Sequence, residues 1–137
     1  MVNLALKYEK GATSISDIAS REGISVSYLE QLLNRLRRRS LLESRRGPNG
    51  GYVLARSPRE ITVGDIVRVL EGDTAPVYCV TGKNQLKRAC RRSPTCVARG
   101  VWEKLAGAID EVLDSVNLED LVNQTESEGK HAKGISR

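Results

Sequence analysis

The chain has 137 residues, a net charge of +5, 39% hydrophobic and 28% charged residues, and three cysteines. That length suits one compact unit with an appendage, and no run of 18 or more apolar residues or charged-then-apolar leader occurs, which points away from a membrane or export and toward a cytoplasmic location. In a reducing compartment an odd number of clustered thiols argues against a disulfide framework and leaves metal binding, redox sensing or packing.

The charge is uneven. Up to Arg56 there are ten Lys or Arg against five Asp or Glu, whereas residues 57–137 carry twelve of each. A positive excess confined to one half suggests a polyanion there, because each phosphate neutralised releases counterions; the alternative is a solvated helix face.

In chain order, "VNLALKYEKG" reads as a helix ended near Gly11 and short at its N-terminal side, since no capping residue precedes it. "TSISDIASREG" offers Ser14 as N-cap with Asp17 three residues on, then Gly23 as stop. Gly23-Ile24-Ser25 leads into a second helix over 26–39, with Leu29, Leu32, Leu33 and Leu36 as its apolar stripe. Two helices joined by a short turn containing Gly form a helix-turn-helix pattern. "LLESRR", "GPNGG" and "YVLAR" then read as strand, turn and strand, a basic hairpin of the kind called a wing. Thr62 and Asp65 open a further helix with Ile66, Val69 and Leu70 facing inward, closing the module near Gly72.

The rest of the chain has a different texture. Residues 73–94 lack periodicity, contain Pro76, Gly82 and Pro94, and read as a loop carrying the cysteines. From Thr95 onward Val97, Val101, Leu105, Ala108, Ile109, Val112 and Val116 recur at helical spacing, a stripe that a lone helix would bury against a second copy of the chain. A terminal turn over 118–122 and a disordered tail over 123–137 complete the reading. The expected fold is mainly α with a small β-hairpin, a winged helix-turn-helix plus a long dimerisation helix. Its units are a DNA-binding domain over 1–72, a sensor loop over 73–94, a dimerisation helix and turn over 95–122, and the tail.

The second helix of the pair would set Ser25, Ser27, Tyr28, Glu30 and Gln31 on its first turns, the part of a recognition helix that reaches base edges. Gln pairs bidentately with adenine, Glu accepts from the cytosine amino group, and Ser and Tyr reach phosphate or bases. Arg35, Arg37, Arg38 and Arg39 suit phosphate, as do Arg45 and Arg46 beside a wing tip whose glycines allow close approach. A winged helix that binds protein, its arginines solvated, is the alternative to a double-stranded DNA operator.

The run "SVSYLEQLLNRLRRRSLLESRRGPNGGYVLARSPREITVGDIVRVLEG" resembles the DNA-binding core of the Rrf family of bacterial winged-helix regulators, and the likeness extends through "APVYCV" and "CRRSPTC" into "VWEKL". Within it the IscR-type regulators of iron-sulfur cluster biogenesis are similar. The resemblance implies a homodimer on a pseudo-palindromic operator, sensing through a 2Fe-2S cluster held by Cys79, Cys90 and Cys96, with Ser27, Tyr28, Glu30, Gln31 and Arg46 as DNA readers. The chain departs from that pattern in three ways. Its first cysteine spacing is C-x10-C rather than C-x5-C, Arg99 stands where IscR-type proteins carry a histidine ligand, and family members usually begin about a dozen residues earlier, with a basic segment.

Thiolates suit iron-sulfur clusters because sulfur donates strongly to iron, and three of four positions are supplied. The cationic neighbours Lys83, Lys87, Arg88, Arg91, Arg92 and Arg99 would lower thiol pKa values, which serves a cluster and a redox-sensing thiol alike. Zinc is weakened by the absence of a CxxC pair. An enzyme is disfavoured: the one histidine, His131, lies in the tail, and "GPNGG" lacks the Lys-Ser/Thr of a phosphate loop. A relative of the CymR-type branch, whose members partner sulfur-assimilation enzymes, stays open beside the cluster reading.

Overall fold

The computed structural model describes residues 1–81, 90 and 95–134, with side chains through residue 127. Six helices and one antiparallel hairpin follow in the order α1 (Val2–Ala5), α2 (Ile15–Glu22), α3 (Val26–Arg38), β1 (Leu42–Arg45), β2 (Gly51–Leu54), α4 (Val63–Leu70), α5 (Arg99–Ser115) and α6 (Leu118–Gly134). This is the mainly α winged helix-turn-helix expected.

The first helix is shorter than its apolar run suggests. After Ala5 the N–H groups of Lys7, Tyr8 and Lys10 turn to carbonyls three residues back, and Glu9 adopts a φ of 63°, so the chain coils in tight turns before Gly11. Tyr8 still packs on the core.

Local capping fixes the next two helices. The Ser14 hydroxyl accepts from Asp17 N–H at 3.1 Å, Gly23 ends α2 at a φ of 65°, and the Ser25 hydroxyl accepts from Tyr28 N–H at 3.2 Å to start α3. Leu29, Leu33 and Leu36 are buried; Leu32, expected with them, is half-buried at the edge of the stripe. Leu41 and Leu42 then enter the core at 2% and 1% exposure, each worth roughly 1.5–3 kcal/mol of burial.

The hairpin pairs Leu42 with Leu54 and Arg45 with Gly51. Thr13 bridges the other edge of β2, donating to Tyr52 O at 3.0 Å and accepting from Tyr52 N–H at 2.9 Å, which ties the wing to the start of α2. A 3-10 turn at Pro58–Glu60, capped by Ser57 and Glu60, delivers Ile61 into the core with no exposure. Thr62 and Asp65 then cap each other's backbone at 3.0 and 3.2 Å to open α4.

One expectation about the C-terminal third is corrected. Helix α5 starts at Arg99 and ends before Val116, whose extended backbone lets its carbonyl accept from Val63 N–H at 2.9 Å, while Leu118 N–H donates to Ile61 O at 3.0 Å. Residues 118–134, expected as a terminal turn and a disordered tail, form α6. Asn117 and Asp120 cap one another at 3.0 Å each way, and Leu118 sits in the core at 1% exposure. A capped and anchored first turn removes the nucleation cost, and Gln, Glu, Lys and Ala propagate the helix beyond it. The core therefore joins Leu4, Ile18, Leu33, Leu42 and Ile61 to Leu118. No helix among the described residues is long and apolar enough to cross a membrane.

Candidate nucleic-acid interface and cysteine segment

Burial of Leu29, Leu33 and Leu36 forces the opposite side of α3 outward. Ser27, Gln31, Arg35 and Arg38 follow one another at three- and four-residue steps on that side and are exposed, as are Ser25, Tyr28 and Glu30 around the first turn. The order along the row is short polar groups at the positive end of the helix dipole, then cations toward the negative end, which is where each is favoured. On the wing Arg45 ends β1 and Arg46 opens the turn, both exposed; Gly47 takes a φ of 114° and its carbonyl accepts from Gly50 N–H at 2.9 Å.

The three arginines of α3 and Arg39, which caps its end, part company. Arg37 Nη1 donates to Ser44 Oγ at 3.3 Å and fastens α3 to β1, and Arg39 turns to a cleft beside α4. Arg35 and Arg38 stay with the outward row. Sequence periodicity could not sort these four because the fate of Arg37 depends on a strand seven residues away.

The cysteines are separated by environment. Cys79 is half-buried in a 3-10 turn, Tyr78–Val80, packed against α5, whereas Cys90 and Cys96 are exposed. Among the described residues no set of three His, Cys, Asp or Glu side chains converges as a metal site. The cations Lys83, Lys87, Arg88, Arg91 and Arg92 lie outside the described residues. Arg99 donates from Nε to Glu103 Oε1 at 2.8 Å.

The apolar stripe of α5 splits into two. Trp102, Ile109 and Leu113, with Val116 just beyond the helix, are half-buried. Val101, Leu105 and Val112 face outward at 65%, 42% and 65% exposure, with Val97 just ahead of the helix at 97%. The joint between α4 and α5 is polar, and periodicity did not reveal it: Arg68 bonds Asp110 at 3.5 Å and also Asp114, Thr62 Oγ1 donates to Asp114 at 3.4 Å, and Thr74 Oγ1 donates to Asp110 at 2.6 Å. The hydrogen bond from Arg68 holds the Asp114 carboxyl below the usual carboxylate range, and Asp114 in turn raises the Arg68 guanidinium. The four-residue step from Asp110 to Asp114 was the available sequence signal.

The Rrf2 family model, described as "Iron-dependent Transcriptional regulator", matches residues 1–124, spanning the winged module, the cysteine segment and the α5 seam. The chain belongs to the Rrf2 family. It is 42% identical over 128 residues to the HTH-type transcriptional regulator CymR of Bacillus subtilis, covering 93% of this chain and 85% of that protein. The solved structure of that CymR superposes with a TM-score of 0.71 over 90% of this chain and 87% of the other, at 41% identity. IscR of Pectobacterium carotovorum is 36% identical over 126 residues, 92% of this chain and 74% of its own. The solved T. potens IscR reaches a TM-score of 0.73 at 41% identity, covering 93% of this chain and 80% of the other. This Rrf2 protein is thus a DNA-binding transcriptional regulator, and the relatives it matches are regulators rather than enzymes.

Proposed function

We propose that the chain acts in the cytoplasm as a homodimer that represses iron-sulfur cluster biogenesis genes, binding a pseudo-palindromic double-stranded operator according to the state of a 2Fe-2S cluster. The observation that carries the DNA half is the exposed row Ser27, Gln31, Arg35 and Arg38 on a helix whose other side is buried. Gln31 and Glu30 read base edges, Ser25, Ser27 and Tyr28 contact phosphate or bases, and Arg35, Arg38, Arg45 and Arg46 neutralise phosphate. The outward seam of Val101, Leu105 and Val112 supports a second copy as partner, which sets two α3 helices at half-site spacing.

The donor chemistry fits three positions of a cluster: Cys79, Cys90 and Cys96 would hold it as thiolates. Arg99 does not supply the fourth, since a guanidinium has no acceptor lone pair to give a metal. When bound, the cluster supplies an iron centre sensitive to redox state and cluster supply. Drawing the three thiols together at the foot of α5 would shift the spacing of the recognition helices, favouring one operator class.

A second reading rests on the exposure of Cys90 and Cys96 and on the likeness to CymR, the global cysteine regulator of B. subtilis: a thiol-sensing regulator of sulfur metabolism without a cluster. Absorption and EPR spectra of the protein purified without oxygen, beside Cys90→Ala and Cys96→Ala, separate the two. A reducible 2Fe-2S signal lost in both variants supports the cluster. A colourless protein, iron-free even after reconstitution, sinks it and leaves thiol sensing.

A further inference from the structure

A cleft of about 720 Å³ opens where the end of α3, α4, the chain that follows it, and α5 meet. Its rim carries both signs of charge. Arg68 is already engaged with Asp110 and Asp114. Asp65 uses Oδ2 on Thr62 N–H, and Asp73 uses Oδ1 on Ala75 N–H at 2.9 Å, which leaves each a second carboxylate oxygen. Arg39, exposed at the end of α3, makes no ion pair among the described residues. Val69 and Val80 supply an apolar wall within the same cleft.

We propose that this cleft binds a free α-amino acid. Its carboxylate meets the planar fork of Arg39, its ammonium meets the open oxygens of Asp65 and Asp73, and its side chain lies against Val69 and Val80. A simple anion would face the open carboxylates of Asp65 and Asp73 and a simple cation would face Arg39, whereas a zwitterion matches both. Because the walls come from α3, α4 and α5 together, the ligand fixes the recognition helix relative to the helix that carries the dimer seam. The binding step stands apart from the operator reading; its effect on DNA rests on it.

The test is calorimetric titration of the full chain, kept reduced, with each standard L-amino acid. The best binder is then compared with its decarboxylated amine and its α-hydroxy acid. Saturable binding is expected for at least one amino acid and for neither truncated analogue. Arg39→Gln and Asp73→Asn, both exposed positions whose folding is checked by circular dichroism, should each weaken it about tenfold or more, the loss of a charge-assisted contact. Absence of binding by every amino acid at millimolar concentration overturns the proposal, as does binding unchanged in both variants. A gel shift in parallel keeps the readings distinct: failure to bind DNA refutes the operator function and leaves the titration interpretable.

Discussion

Arg68 of α4 donates to Asp114 of α5, and the pair closes over Gly64, where an added Cβ would collide with both side chains. The joint between the winged module and α5 is thus a hydrogen-bonded ion pair seated on a missing side chain. Asp114 has a carboxyl pKa lowered from 3.8, so its pairing contributes stability that is fully present above that value and is lost as pH falls through the lowered folded value. Urea midpoints should therefore decline on acidification below about 4 more steeply in the parent than in Arg68→Ala. An NMR titration should move the Asp114 midpoint up to the ordinary carboxylate range in that variant. Equal midpoints in the two proteins would remove Arg68 as the cause.

Leu118 ties the C-terminal helix into the module's own core. Leu118→Ala should cost roughly 2–5 kcal/mol in chemical unfolding, as for other fully buried leucines. A loss under about 0.5 kcal/mol, the range of surface substitutions, would show α6 to be only loosely docked.

The proposed base-reading and phosphate contacts should separate in solution. Gln31→Ala should relax discrimination at one base pair by about 1–3 kcal/mol, while Arg38→Ala should weaken all sequences alike and lower the salt slope by about 0.9. Fluorescence anisotropy over a salt series with matched and mutated operators measures both. An Arg38→Ala slope equal to the parent's would take that residue off the phosphate backbone.

The outward seam of α5 predicts that Leu105→Glu and Val101→Glu convert a dimer to a monomer in sedimentation, with little change in helix content, because both side chains are exposed in the single chain. A dimer persisting in both variants would move the interface elsewhere.

Gly51 has a φ of 150°, and a Cβ there would run into the backbone of Thr13. Gly51→Ala should cost at least about 1 kcal/mol and weaken DNA binding with it, since the wing loses its rung to Thr13. A thermal scan beside the anisotropy measurement checks the pairing of the two effects.

The sequence by itself determined whatever depends on neighbours along the chain. Ser14, Gly23, Ser25 and Thr62 mark helix ends because a cap is satisfied within three residues, and the leucines of α3 declare their buried side by spacing alone. The exposed row bearing Ser27, Gln31, Arg35 and Arg38 follows from that side. Tertiary structure decided the rest. Arg37 bonds Ser44 of a strand and Arg39 lines a cleft beside α4, placements that spacing along α3 does not show. The α5 stripe divides once the chain folds: Trp102 and Ile109 become half-buried while Val101 and Leu105 stay exposed. A polar tail becomes α6 because Ile61 and Val63, distant in sequence, hold Val116 and Leu118 by backbone hydrogen bonds. Such partners carry no periodic trace; they exist only once the chain has closed on itself.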